Sequence, residues 1–485
     1  MRNVIIICYF IWAFALNANA QNESSIWVFG SPQWNSDFNL DFRAGLYHLD
    51  SVNRNMSLRL ANSSICDQDG TLLFYTNGVY VADVLNDTMQ NGSGLNAGVF
   101  ASGWASLGLP LVQPVVTLND PANDHEFYLI HLTIDSHYLA TSERLMFTKV
   151  DMDLAGGLGA VTTKNQAIFQ DTLIPGDLQA VKHGNGRDWW VVSHQNHSDL
   201  FHLILITPFG ILGPYDQHIG TINDWGWQAK FSPDGSKYAT YENNNGLQLL
   251  EFDRCSGVFF NARSHIFLND TIGAGGVSFS PDSKLLYISC NDYLVQLNTD
   301  SLSLKAGMDT VAVWDGFISN GLKAGFGLSE LGPDDKIYIV PSYGAQTFHV
   351  VESPNYLGVN CNVLQHAILT PGAVHTPPSF PNFSLGPLVG SVCDSIINSV
   401  VEIDQHLFAL YPNPTTGISK IHSSSGSFQE AQIYIYNTVG QIIYSDIIQS
   451  GTFEYFIDFR NYVNGVYLMQ IVDNGKVNTL KLVKM

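Results

Sequence analysis

The chain has 485 residues, with 43 acidic against 22 basic side chains and a formal net charge of −21. Such a surface repels phosphate backbones, so nucleic acid is excluded as a partner. Charged residues make up only 13% of the chain and hydrophobic ones 45%, with Gly, Tyr and Phe abundant, which fits an exported all-β protein rather than a helical cytosolic one.

Arg2 precedes an apolar run from Val4 to Leu16, and Ala18-Asn19-Ala20 has the small-x-small cleavage pattern. Residues 1–20 therefore read as a signal peptide cut between Ala20 and Gln21. That run is too short to span a bilayer, and no other stretch approaches the roughly eighteen unbroken apolar residues that would, so no transmembrane segment is expected.

The body, residues 21–395, carries an internal repeat. Phe231-Ser-Pro-Asp-Gly-Ser-Lys-Tyr238 recurs as Phe279-Ser-Pro-Asp-Ser-Lys-Leu-Leu-Tyr287 and as Leu331-Gly-Pro-Asp-Asp-Lys-Ile-Tyr338, with prolines 233, 281 and 333 about fifty residues apart. A turn with Pro second and Asp third, between β-branched and aromatic runs, is a hairpin signal. Looser copies stand at Asp67–Tyr75, Asn119–Ile130 and Lys182–Val192. One such unit cannot bury both of its faces, so several must close into a ring. The expectation is an all-β chain: a β-propeller of about seven four-stranded blades, six or eight being compatible, then a small Ig-like β-sandwich. The seventh blade is expected to combine Ile26–Phe29 with the segment near Phe380–Phe383.

Five cysteines remain after processing, and an odd number leaves at least one unpaired or pairing between molecules. Cys255 with Cys290, joining adjacent blades, and Cys361 with Cys393, stapling the last one, are the candidate disulfides, with five buried thiols as the alternative. Candidate chemistry is sparse. His183, His194, His197 and His202 gather in one unit, but His194-x-x-His197 in a strand points its rings to opposite faces and lacks the helical Glu of a metalloprotease. Asp67-x-Asp69-Gly and Asn119-Asp-x-x-Asn-Asp124 offer oxygens for calcium without the twelve-residue loop that would define such a site. Otherwise no cofactor is expected. A Gly-x-Ser-x-Gly elbow is missing, and Trp104, Trp225, Trp227 and Trp314 read either as core between blades or as stacking platforms for a ligand.

A linker, 396–407, leads to residues 408–485, where Ala431–Asn437 and Gln441–Ile447 alternate in period two around a turn containing Gly440. Further strands follow at Tyr455–Phe459, Gly465–Ile471 and Leu480–Met485. Tyr411-Pro412-Asn413-Pro414-Thr-Thr-Gly417, then Ile435-Tyr-Asn-x-x-Gly440-Gln441, then Asn464-Gly465-Val-Tyr467-Leu468, then Lys481-Leu-Val-Lys484 resemble, in order, the motifs of the C-terminal sorting domain of type IX secretion cargo in Bacteroidetes. The resemblance implies an address read by the outer-membrane translocon, then usually cleaved while the body is released or anchored on the surface.

The body has its own resemblance. Trp27-x-Phe-Gly30, Asp69-Gly-x-Leu-Leu-Phe-Tyr75, Ala180-Val-Lys-His-Gly-Asn185, Phe252-Asp-Arg-Cys-Ser-Gly257 and Gly390-Ser-Val-Cys-Asp394 are similar to landmarks of WD40-like or YVTN-like propeller regions of Bacteroidetes surface proteins. This implies an extracellular surface protein and no particular reaction. Two functions follow as expectations: a non-catalytic propeller binding an unidentified glycan or protein, or a secreted hydrolase or lyase of polysaccharide or peptide working at the propeller axis.

Overall fold

The computed structural model describes residues 22–30, 37–96, 98–134, 142–223, 226–242, 245–267, 275–394, 408–423, 428, 430–437, 441–473 and 476–484. The expected signal peptide with its Ala20–Gln21 junction, the linker 396–407, Trp225 and Gly440 lie outside the described residues. The chain divides into two compact units, with the boundary between Ile396 and Ile397.

The repeated turns have a local cause. The Ser232 hydroxyl donates to Asp234 Oδ1 (2.6 Å), which also accepts the Ser236 N–H (2.9 Å), while the Ser232 carbonyl accepts the Gly235 N–H (2.8 Å). Gly235 sits at φ 72°, where a side chain would also run into Arg254, Val181 and Leu385. Thus Gln228–Phe231 folds back on Lys237–Glu242, with Phe231 opposite Tyr238. Ser280 and Asp282 repeat the arrangement at 2.7 Å. In the third copy Gly332 replaces the serine, and Asp334 accepts from the Tyr338 hydroxyl (2.9 Å) instead.

All six sequence repeats turn out to be the first turn of a blade, between its innermost strand and the next. Innermost strands are Ile26–Phe29, Ser63–Cys66, Val115–Asp120, Gln179–Lys182, Gln228–Phe231, Gly276–Phe279 and Phe326–Leu331, one for each of blades 1 to 7. Among the described residues blades 2 to 7 have four antiparallel strands in sequence order, blade 1 has three, and a parallel Gln90–Ala160 pairing joins the outer strands of blades 2 and 3. The ring closes by packing of blade 7 on blade 1: Tyr338 meets Trp27 (5.4 Å between ring centroids) and Phe42 (5.3 Å), and Phe348 meets Phe29 (5.4 Å).

One expectation is corrected here. The N-terminal residues build blade 1 alone, from Ile26–Phe29, Phe38–Asp41 and His48–Ser51, and Phe380–Phe383 is not a strand. Pro377, Pro378 and Pro381 have no N–H to give to a ladder, which disqualifies the segment as a blade strand.

The second unit is a two-sheet sandwich. Phe408–Tyr411, Ile418–Ser423 and Glu454–Asp458 form one sheet; Ile442–Ile448, Ala431–Tyr436, Gly465–Asp473 and Lys476–Lys484 form the other. Period-two alternation sends Ala431, Ile433 and Ile435 inward, against Phe408, Ile421, Ile457, Met469, Ile471 and Leu482.

Candidate functional site

Residues 374–384 run along the axis of the ring, touching or facing one inner strand after another. Val374 N–H donates to the Ala345 carbonyl of blade 7, and the Ser379 N–H to Asn62 of blade 2 (3.3 Å). The Ser379 hydroxyl accepts from Gln113 (3.3 Å), just before blade 3, and Gln179 of blade 4 (3.2 Å). Phe380 lies against Trp27 of blade 1 (6.2 Å), Phe383 against Trp189 of blade 4 (5.8 Å), and Asn382 Nδ2 donates to the Pro233 carbonyl of blade 5 (2.7 Å). Pro377 to Pro381 are buried.

Beyond Phe383 the chain emerges on the face carrying the first turns and is fastened there. Arg254 donates to the carbonyls of Lys182 (2.8 Å), His183 (3.2 Å) and Gly386 (2.7 Å), and Leu388 N–H to the Gly184 carbonyl (2.7 Å). Burial lowers the Arg254 guanidinium to about 10. Cys393 is bonded to Cys255, their Cα atoms 5.5 Å apart. Gly184 makes the room, since a Cβ there would strike both sulfurs. Neither expected pairing forms: Cys290 and Cys361, like Cys66, are buried and take part in no disulfide. Cys290 belongs to the core between blades 5 and 6 and Cys361 to that between blades 6 and 7, each packed among apolar side chains with no second cysteine in its cluster, whereas the axial segment carries Cys393 to Cys255.

Because the axial segment makes its contacts chiefly with blades 1 to 5, a pocket of about 440 Å³ stays open between it and blades 5 to 7. Its walls are the three repeat turns, through Pro233, Pro281 and Pro333, together with Phe380 and Asn382, and its floor includes Lys230, Ser278 and Glu330. Lys230 Nζ and Glu330 Oε2 are 2.5 Å apart, with their side chains only 7% and 6% exposed. Burial pushes the Glu330 carboxyl up to about 7 against the pull of Lys230. Sequence reasoning missed this pair, because nothing in two positions a hundred residues apart, each in an alternating strand, marks them as partners.

The other singled-out side chains serve local structure. His183 Nδ1 accepts the Asn185 N–H (3.0 Å) and its Nε2 meets the Cys255 carbonyl (3.0 Å). His194 lies 3.0 Å from Asp177 and stacks on Phe201, His202 sits between Asp171 and Asp216, and His197 occupies a turn at φ 57°. Asp67 Oδ1 accepts the N–H groups of Asp69 (2.9 Å) and Thr71 (2.8 Å), and Asn123 Oδ1 that of His125 (3.0 Å), so these oxygens hold turns. Among the described residues no group of three or more His, Cys, Asp or Glu side chains is placed to hold a metal ion. Trp104, Trp227 and Trp314 are half-buried, and Lys323 caps the Trp314 ring at 4.5 Å.

In the second unit, motifs far apart in sequence meet. Asn413 Nδ2 donates to the Lys481 carbonyl (2.6 Å), Asn413 Oδ1 accepts the Val483 N–H (2.9 Å), and Thr415 N–H donates to the Val483 carbonyl (2.8 Å). Pro412 O accepts from the Ser419 hydroxyl (2.9 Å), the Gly417 carbonyl from the Phe459 N–H (2.8 Å), and Lys420 lies over the Tyr411 ring (4.6 Å). Pro414 completes the loop. Gly465 opens the strand opposite Lys484, whose Nζ donates to Asn464 (3.2 Å); Tyr467 is buried and donates its hydroxyl to the Val463 carbonyl (2.7 Å); Lys481 is exposed. The Tyr-Pro-Asn-Pro loop and the last strand are thus a single clamp.

No curated protein matches the chain. Among solved structures, a functionally unknown protein from Desulfotomaculum acetoxidans superposes with a TM-score of 0.40 at 11% identity, covering 73% of this chain and 100% of its own. A Lactobacillus plantarum protein gives 0.41 at 13%, covering 72% and 98%, and the Cps50 (Swd1) β-propeller domain of Myceliophteria thermophila 0.36 at 12%, covering 66% and 93%. Residues 409–485 match the model of the secretion system C-terminal sorting domain. The clamp and its sandwich are therefore the sorting domain of type IX cargo, and the propeller it follows is exported to the cell surface or the medium.

Proposed function

We propose that this is a non-catalytic, ligand-binding propeller of a Bacteroidetes bacterium, made with residues 1–20 as a cleaved signal peptide, passed through the type IX translocon by its sorting domain, and meeting a glycan or protein at the axial mouth. The observation that carries this reading is the filled axis: the protein's own residues 374–384 occupy the place where a propeller enzyme would seat its substrate. Glu330, the carboxylate on the pocket floor, is committed to Lys230 rather than facing a second acid across a sugar.

A second reading rests on the place of Glu330 on the floor of that pocket, where burial raises its carboxyl in the direction a general acid needs. It makes the protein a hydrolase or lyase at the same mouth. Purified mature protein and its Glu330→Gln variant, screened on glycan and protein arrays beside a hydrolase and lyase panel, separate the two. Saturable binding without turnover by either protein supports the binding module; turnover lost in E330Q overturns it in favour of the enzyme.

A further inference from the structure

Among the described residues no strand is exchanged between the two ends of the propeller. Blade 1 takes all its strands from residues 26–51 and blade 7 all of its own from 326–369, so the seam between them is closed by aromatic side chains rather than by a shared sheet. The stretch that follows blade 7 links blades on both sides of that seam. Thr370 and Val374 are bonded to blade 7, Ser379 to Asn62, Gln113 and Gln179, Asn382 to blade 5, Leu388 to the first turn of blade 4, and Cys393 covalently to blade 5. Cys393 is one residue from Asp394, where the first compact unit's described part ends, and the sorting domain lies on the far side of it in the chain.

We propose that residues 371–394 are a latch that holds the ring shut under a pull from the C-terminal side, with the Cys255–Cys393 bond as its bolt. Tension applied through the sorting domain reaches Cys393 first and passes across the bond into blade 5, so the axial residues before it carry none of the load. Without the bond the same pull runs up the chain, strips Leu388, Asn382 and Ser379 from their blades in turn, and leaves the seam between blades 7 and 1 to its side-chain packing. The geometry around the sulfurs fits a bolt. Gly184 is trimmed to admit them, and Arg254 holds the three carbonyls around the exit of the chain.

The test is optical-tweezers extension of the full mature chain, one handle at the exposed Asn261 of blade 5 and the other at the C-terminus, in oxidised protein, in protein treated with a small thiol reductant, and in a Cys255→Ser/Cys393→Ser variant. Oxidised protein is expected to show the sorting-domain step and no low-force release from the body. Reduced protein and the double variant gain an early step of about 80 Å, the extended length of residues 371–394 at roughly 3.3–3.6 Å each. The reduced wild-type arm keeps the test decisive if the double variant fails to fold. An early step of that length in the oxidised protein, or its lack after reduction, overturns the proposal.

Discussion

Gln228 of blade 5 is bonded directly to Ser329 of blade 7, its side-chain amide donating to the Ser329 carbonyl (2.8 Å) and accepting the Ser329 N–H (3.0 Å). The same oxygen accepts the Val277 N–H of blade 6 (3.1 Å). Gly276 permits this, because a Cβ there would collide with Gln228 Oε1 and with the backbone at Leu328. One side chain therefore ties three blades at their innermost strands.

Replacing Gln228 with Ala leaves three buried backbone groups without partners. The expected cost is about 2–4 kcal/mol, since each orphaned group forfeits its hydrogen bond in a place water does not reach. Urea unfolding of the mature protein measures it, and a loss below about 1 kcal/mol would mean that the three blades hold together without this side chain.

Acid should destabilise the propeller through its buried histidines. Burial lowers His131 to about 3, burial lowers His349 to about 4 with His366 adding to it, and burial lowers His375 to about 4 with Arg59 adding to it, all from 6.5. A base with a depressed native pKa contributes stability that is present above 6.5 and is lost as pH falls toward the native value, because only the unfolded chain takes up the proton. Glu330 acts in the opposite sense: raised from 4.5 to about 7, it binds its proton in the native state first, so it favours folding as pH falls through that window. Between pH 4.5 and 6.5 these four groups together should make unfolding take up about two protons. E330Q should raise that uptake by about one, which the pH dependence of urea midpoints would show as a steeper acid loss.

Asn413→Ala removes both bonds that bracket the final strand and should cost the sorting domain about 1–2 kcal/mol. The diagnostic signal is local: the Val483 amide, protected by Asn413 Oδ1 at 2.9 Å, should exchange with solvent at least tenfold faster while Ile433 and Met469 in the core keep their protection. Equal loosening of the whole sandwich would contradict the clamp.

A chain ending at Asp394 keeps every propeller contact described above and lacks the sorting domain. Fractionation of the producing cells should find the truncated protein folded in the periplasm, with its extracellular share reduced by more than tenfold, on the order of what loss of a required export signal produces. Undiminished export would remove the sorting domain's role in this chain.

The blade turns were legible because their chemistry is local: Ser232, Pro233 and Asp234 make the turn among themselves, and the same three residue types recur at Ser280 to Asp282. The terminal motifs were legible as well, although only folding shows that Asn413 and Val483 are one feature. The axial segment was misread because Pro377 to Phe383 has neither helical nor strand period, and its hydrogen bonds go to side chains of blades far away in sequence. Cysteine pairing failed for a related reason. Cys255 and Cys393 are 138 residues apart, and their meeting depends on where the axial segment emerges.

Polarity of the chain gives the axial segment a last consequence. It follows all seven sheets in the chain, so every blade residue it is bonded to, from Asn62 to Ala345, is synthesised before it. A protein built this way cannot be finished by its N-terminal portion alone, and a truncation that stops before Val374 yields a ring lacking its central post.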